Sequence, residues 1–213
     1  MIRVVIADDQ DMVRAGFRMI LDATEGIEVV GEADNGRDAV TTAQHLRPDV
    51  CLFDVRMPDL DGISATSIVA GPDVTEPLNV VVITTFDLDE YVFGALEAGA
   101  VGFLLKNAGP ELLVAAVRAA ADGDSLISPE ITTRLLDHVV APNASPVGEN
   151  PLTDREAEVV AAVARGLSNA EVGNELHVSV STVKAHVASS MAKLGARNRV
   201  ELVIWAYEHR LAG

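Results

Sequence analysis

The chain has few of the features that stabilise secreted and membrane proteins. It contains one cysteine in 213 residues, Cys51, which leaves no intramolecular disulfide to form and predicts a reducing compartment. No uninterrupted apolar run approaches the roughly 20 residues of a membrane-spanning helix. No basic stretch followed by a long apolar one opens the chain either. These absences predict a soluble, cytoplasmic protein without a membrane partner.

Basic residues are also scarce, and they are unevenly placed. Sixteen Lys and Arg against 32 Asp and Glu give a formal net charge of −16. Residues 1–150 hold 9 basic against 25 acidic residues, whereas residues 151–213 hold 7 of each. Because so acidic a chain binds nucleic acid poorly as a whole, any DNA-binding surface must be local. We expect it in the neutral C-terminal third.

Residues 1–122 alternate strand-like and helix-like patterns. The strand-like segments are near-continuous apolar runs, typical of strands buried on both faces of a parallel sheet. Five such units predict an α/β domain with a doubly wound, five-stranded parallel sheet. We expect a linker at residues 123–150, with a helix near 129–140. A small all-α domain at 151–213 follows, because strand patterns stop there and helix-capping residues become frequent.

Four apolar runs end in residues that suit a phosphate-handling site. The runs lead into Asp8-Asp9, Asp54, Thr84 and Lys106. Since ligands bind at the carboxyl ends of parallel strands, we expect these side chains to lie together. A carboxylate such as Asp54 can attack a phosphoryl donor, and Mg²⁺ held by neighbouring carboxylates would screen the repulsion between them. Taken singly, each residue has an ordinary alternative, since an aspartate at a strand end usually begins a turn.

A row of apolar residues in the C-terminal third has the spacing of one helix face. Its members are Val180, Val183, Val187, Met191 and Leu194, and the spacing predicts that this face is buried. Short, polar or basic residues off the row are candidates to approach a DNA duplex. Residues 178–210 hold five basic and two acidic residues, a locally positive balance. A small helical bundle with a solvated surface is the alternative.

The combined motifs resemble a known family. Asp8-Asp9, Asp54, Met57–Gly62, Thr84 and Gly99–Lys106 look like a bacterial response-regulator receiver domain. Four C-terminal segments resemble a LuxR-type helix-turn-helix: Leu152–Glu156, Gly166–Val172, Ser181–Val187 and Lys193–Gly195. Together they cover nearly the whole chain and point to the NarL/FixJ family of transcriptional regulators. The resemblance implies a flavodoxin-like strand order of 2-1-3-4-5.

The resemblance implies a phosphorylation site with assigned roles. Asp54 would be the phosphoacceptor for a sensor histidine kinase, with Lys106 and Thr84 contacting the phosphoryl oxygens. The Mg²⁺ ligands would be Asp8, Asp9, Asp54 and the backbone carbonyl of Arg56. Thr84 and Phe103 would form a switch pair, in which Thr84 moves to the phosphoryl group and Phe103 turns inward. The sequence departs from the family pattern at Asn107, where an aspartate is frequent, and in the loop at residues 71–77.

The resemblance also implies binding to double-stranded DNA. Lys184, Ala185 and Ala188 would face base edges, since the second helix of the motif lies in the major groove. The candidates for phosphate contact are Thr182, Ser190, Lys193, Arg197 and Arg199. A homodimer would form on DNA or after phosphorylation, and RNA polymerase is a further partner of such regulators. The helix over residues 198–207 is predicted either to carry the dimer contact or to complete the domain core.

Two functions of different classes fit these motifs. One is a DNA-binding regulator in which phosphorylation relieves inhibition between domains and promotes dimeric operator binding. The other is a phosphoryl-transfer enzyme with an aspartyl intermediate and a fused helical interaction module. An aspartate-nucleophile hydrolase would be expected to place a second acid two residues after Asp54, where this chain has Arg56. The sequence therefore favours the regulator, which is not an enzyme.

Overall fold

The computed structural model describes residues 1–85, 89–124, 150–196, 198–209 and 211. It divides into two compact units, Met1–Ile131 and Thr132–Gly213. The predicted helix near residues 129–140, most of the predicted linker and Arg197 lie outside the described residues. The predicted domain boundaries therefore stay predictions.

The N-terminal unit alternates strands and helices. The strands are β1 (Ile2–Ala7), β2 (Ile27–Ala33), β3 (Val50–Asp54), β4 (Val80–Thr84) and β5 (Gly102–Leu105). The helices are α1 (Asp11–Asp22), α2 (Gly36–Leu46), α3 (Gly62–Ala70), α4 (Asp89–Glu97) and α5 (Pro110–Ala121). All neighbouring strands are parallel, in the order β2-β1-β3-β4-β5. This confirms the doubly wound sheet and the strand order implied by the resemblance.

The central strands are buried along their whole length. Every residue of β3 and of β4 is buried, because helices cover both faces of the sheet. Val4, Leu52 and Ile83 are at most 2% exposed and pack in one cluster with Leu113 and Val117 of α5. Each such side chain contributes about 1.5–3 kcal/mol to folding. The carboxyl ends of β1, β3 and β4 are thereby held rigidly side by side.

The C-terminal unit contains four short helices in its described part. They are α6 (Asp154–Ala164), α7 (Asn169–Leu176), α8 (Val180–Leu194) and α9 (Arg199–Glu208). Thr153 and Ser168 each form a capping box with the glutamate three residues later, as their spacing predicts. In the turn between α7 and α8, His177 adopts a left-handed conformation with φ of 55°. Val159, Val172, Val183 and Leu202 come from the four different helices and are completely buried in one core.

Neither unit offers a helix, within the described residues, that is long and apolar enough to cross a membrane.

Candidate functional site

Three carboxylates meet at the carboxyl edge of the sheet. Asp8, Asp9 and Asp54 each place a carboxylate oxygen within 4.8 Å of the others. Asp8 and Asp54 are buried, at 1% and 4% exposure, whereas Asp9 is exposed. Lys106, which follows β5, lies with its Nζ 2.7 Å from Asp8 Oδ2 and 2.8 Å from Asp54 Oδ2. The prediction that these strand-end side chains lie together is confirmed for the three aspartates and Lys106.

The charges in this cluster do not balance. Burial raises the pKa of Asp54; Lys106 opposes that rise, while the charges of Asp8 and Asp9 add to it. Burial acts to lower the pKa of Lys106, but its hydrogen bonds to Asp54 and Asp8 prevail and keep this pKa above its usual value. The pKa of Asp54 is therefore raised mainly by burial, and that of Lys106 by its two carboxylate partners. The surplus negative charge and the all-oxygen donor set fit a hard divalent cation such as Mg²⁺.

Local hydrogen bonds fix the orientation of Asp8. The backbone N–H of Gln10 donates to Asp8 Oδ1 at 2.9 Å, which leaves Oδ2 directed at Lys106. The Arg14 guanidinium donates to the Asp8 carbonyl oxygen at 2.6 Å. The start of α1 is therefore tied to the end of β1, and the carboxylate that follows the strand is held in place.

The loop after Asp54 approaches the strand end closely. The Gly62 N–H donates to the Val55 carbonyl oxygen at 2.8 Å, and a Cβ at Gly62 would lie 1.9 Å from the Asp54 carbonyl oxygen. Only glycine fits this contact. The Arg56 side chain donates to the Tyr91 hydroxyl at 3.1 Å and lies 5.8 Å from its ring centre. The role of the Arg56 carbonyl as a metal ligand stays a prediction.

The two residues of the predicted switch pair are buried on neighbouring strands. Thr84 ends β4 and is 1% exposed, and its carbonyl oxygen accepts the Lys106 N–H at 2.7 Å. Phe103 lies in β5 opposite Val82 and is fully buried. Phe103 is thus buried in this structure, and the predicted movement of the pair stays a prediction.

Helix α8 presents the predicted base-reading residues, Lys184, Ala185 and Ala188, to solvent. Thr182, a predicted phosphate contact, is exposed as well. Val183 and Val187 are buried on the opposite face, as predicted. The prediction that Val180 is buried was wrong, because it is 43% exposed. Val178, two residues earlier, packs against the core at this end of the helix.

Two of the residues predicted to contact DNA phosphates are buried. Ser190 is completely buried, so it cannot reach a DNA backbone. Arg199 is 8% exposed, and its guanidinium donates to Asn169 Oδ1 at 2.8 Å and to the Leu167 carbonyl oxygen at 2.6 Å. A buried guanidinium requires such partners, and they hold Arg199 away from the surface. Lys193 is exposed, and its ammonium lies 2.6 Å from Glu156 Oε2, so its contact with DNA stays a prediction.

Glu156 is an important residue whose role the sequence did not indicate. It is 4% exposed and accepts hydrogen bonds from the Thr153 N–H at 2.8 Å and from the Ser189 hydroxyl at 2.7 Å, besides Lys193. The bonds from Lys193 and Ser189 hold the pKa of Glu156 well below its usual value. The capping box with Thr153 was visible in the sequence. The contact between Glu156 and Lys193 of α8 joins residues 37 positions apart, so no local sequence pattern indicates it.

The chain is similar to proteins of known class along its whole length. Residues 4–118 match the response regulator receiver domain, and residues 150–206 match the bacterial regulatory proteins of the luxR family. The chain is 40% identical over 211 residues to the transcriptional regulatory protein YxjL of Bacillus subtilis strain 168, across 96% of this chain and 94% of that protein.

Solved structures of response regulators also match this chain along nearly its whole length. The crystal structure of the response regulator ChrA, from a heme-sensing two-component system, covers 99% of this chain and 98% of its own, with 36% identity and a TM-score of 0.54. A structure of RcsB dimers bound to DNA covers 97% of this chain and 98% of its own, with 26% identity and a TM-score of 0.56. The chain therefore belongs to the two-component response regulators, with a receiver domain followed by a LuxR-type DNA-binding domain.

Proposed function

We propose that a sensor histidine kinase phosphorylates this response regulator on Asp54 and that the phosphorylation controls its binding to double-stranded DNA. The observation that carries the proposal is the Lys106 ammonium, which lies within 2.8 Å of both Asp54 and Asp8 in a buried cluster of carboxylates. An Asp54 oxygen bonds to phosphorus while the bond to the donor breaks, and the leaving group keeps the electron pair. Lys106 is placed to pair with the phosphoryl oxygens.

The proposed Mg²⁺ ligands are Asp8, Asp9, Asp54 and the backbone carbonyl of Arg56. The proximity of the three carboxylates supports this set, because their surplus negative charge favours a divalent cation. When bound, the ion screens the repulsion between Asp54 and an incoming phosphoryl group. Lys106 offsets one of the carboxylate charges through its contact with Asp54.

Thr84 and Phe103 are the proposed switch. A phosphoryl group adds a charge of about −1.5 to −2 at Asp54, so it must act on DNA binding through an element with two arrangements. Thr84 would contact the phosphoryl group, and the packing of Phe103 on the neighbouring strand would change with it. The result would be relief of inhibition between the domains.

The proposed active form is a homodimer on DNA, with half-sites about one helical turn apart. The solved RcsB dimers bound to DNA support a dimer for this class of regulator. The sequence left open whether α9 carries the dimer contact or completes the core. Val200 is buried, and Val203 and Tyr207 pack against the core, which favours core completion for these residues.

The DNA-contacting residues in the proposal are Thr182, Lys184, Ala185 and Ala188, all exposed on α8. Such a function takes place in the cytoplasm, where bacterial DNA lies, and RNA polymerase is the further partner through which a transcription regulator acts. We propose that the chain is not an enzyme. Arg56 stands where a phosphoryl hydrolase would need an acid, and its guanidinium bonds to Tyr91.

Intact-mass measurement after incubation with a small acyl phosphate and Mg²⁺ tests the phosphorylation site. The wild type should gain one phosphoryl group, and Asp54→Asn should gain none. Asp9→Asn should require more Mg²⁺, because one hard ligand is lost. Asp59→Asn is the matched control: Asp59 is exposed in the same loop with φ of 64°, a conformation that asparagine tolerates. Equal labelling of Asp54→Asn and the wild type would refute the assignment.

A further inference from the structure

The outward surface at the start of α8 carries more apolar groups than its sequence pattern predicts. Val180 is the first residue of α8 and is 43% exposed. Within the described part of the C-terminal unit, no other large aliphatic or methionine side chain is as exposed. One and two turns along the same side of the helix, Lys184 and Ala188 are exposed, and Ala185 lies beside them.

The polar groups near Val180 already have partners within the protein. Ser179 Oγ lies 2.8 Å from Ser181 Oγ and 2.8 Å from Thr182 Oγ1, and it also accepts the Thr182 N–H at 3.1 Å. Of the two cations in α8, Lys193 pairs with the buried Glu156. One ammonium, on Lys184, and the methyl groups of Val180, Ala185 and Ala188 therefore remain to distinguish bases.

Methyl groups recognise a specific feature of the major groove. Thymine alone among the four bases displays a 5-methyl group there, and apolar side chains contact it. The N-terminal residues of the second helix in a helix-turn-helix are the ones that contact base edges. We propose that Val180, with Ala185 and Ala188 beside it, forms a surface that recognises thymine methyl groups and makes Val180 a specificity-determining residue. This inference rests on the proposed binding of α8 to double-stranded DNA.

Uracil substitution tests the contact, because uracil differs from thymine only by that methyl group. Preferred sequences are first selected from a random duplex library with the full-length protein, treated with an acyl phosphate and Mg²⁺. Each thymine of the selected duplex is then replaced singly by uracil. For the wild type, uracil at one or more positions should weaken binding about fourfold, the factor that corresponds to burial of one methyl-sized group.

Two variants identify the residue responsible. At one position where uracil weakens binding by the wild type, Val180→Ala should bind the thymine and uracil duplexes equally, because the side chain that contacts that methyl group is gone. Ile68→Ala is the matched control, since Ile68 is a 47% exposed aliphatic residue of α3 in the other unit. Ile68→Ala should still bind the uracil duplex about fourfold more weakly than the thymine duplex.

The outcomes separate this inference from the proposed function. Uracil that is neutral at every position, or uracil effects that all persist unchanged in Val180→Ala, would overturn the role of Val180 while leaving DNA binding by α8 intact. If the library yields no preferred sequence and Lys184→Ala binds DNA as the wild type does, the proposed function fails and this inference fails with it.

Discussion

At the scale of single residues, two neighbouring serines in α8 differ in whether their hydroxyl groups have hydrogen-bond partners. The Ser189 hydroxyl donates to Glu156 at 2.7 Å. Ser190 is completely buried, and its hydroxyl has no hydrogen-bond partner among the described residues. A buried hydroxyl without a partner destabilises the folded state, because its bonds to water are lost on folding.

Ser190→Ala should therefore stabilise the C-terminal unit by about 1 kcal/mol, since it removes the unpaired hydroxyl at little cost in packing. Urea unfolding followed by tryptophan fluorescence measures this, because Trp205 in α9 is the only tryptophan and reports on this unit. Ser189→Ala is the control and should destabilise the unit. Lower stability of Ser190→Ala would mean that its hydroxyl has a partner in solution.

The sequence predicted some site residues well and others badly, for a physical reason. Asp54 and Lys106 each follow an apolar run, and parallel strands bring such positions to one edge whatever the side chains do. Arg199 and Lys193 were phosphate-contact candidates implied by the resemblance. Their partners, Asn169 and Glu156, lie 30 and 37 residues away. The periodicity of residues within one helix does not indicate contacts between residues so far apart in the sequence.

At the scale of elements, the buried carboxylate of Glu156 joins α6 to α8. Its hydrogen bonds to Ser189 and Lys193 reach the C-terminal half of α8 from the first turn of α6. The helix that is proposed to enter the major groove is therefore oriented partly by one ionised side chain. This makes the stability of the unit sensitive to acid.

Glu156→Gln should destabilise the C-terminal unit and weaken its dependence on pH. Because the pKa of Glu156 is lowered on folding, its contribution is fully present above the ordinary glutamate pKa of 4.5 and is lost as the pH falls below it. Trp205 fluorescence in urea at several pH values should show the wild type and the variant converging as the pH falls.

Glu171→Gln is the matched control for this effect. Glu171 occupies the same position of a capping box in α7, but it is exposed, and the hydrogen bonds described for its carboxylate come from Ser168. Its substitution should cost less stability than that of Glu156. Equal losses in the two variants would show that capping, not the contact with α8, accounts for the effect of Glu156.

The elements themselves were largely predictable. The near-continuous apolar runs predicted the five strands, and the capping residues Thr153 and Ser168 mark the starts of α6 and α7. The strand order came from the resemblance, since apolar runs do not specify which strands are neighbours. Val180 was misplaced because helical spacing identifies a face but does not tell where the neighbouring core ends.

At the scale of the whole molecule, the acidic residues and the DNA-binding motif lie in different parts of the chain. The surplus of acidic residues lies in residues 1–150, where the carboxylates of Asp8, Asp9 and Asp54 meet, and the neutral C-terminal third carries the helix-turn-helix. Each unit has its own buried core. In our proposal the phosphoryl group is held in one unit and DNA in the other, so control requires the state of the first to change the affinity of the second.

The most direct test of this account is the affinity of the full-length protein for its selected DNA duplex, measured before and after treatment with an acyl phosphate and Mg²⁺. Asp54→Asn, Asp59→Asn and the fragment 148–213 are measured in parallel. Treatment should raise the affinity of the wild type and of Asp59→Asn and leave Asp54→Asn unchanged. The fragment should bind more tightly than the untreated full-length protein. An equal rise in Asp54→Asn, or no rise in a fully phosphorylated wild type, would contradict control of DNA binding through Asp54.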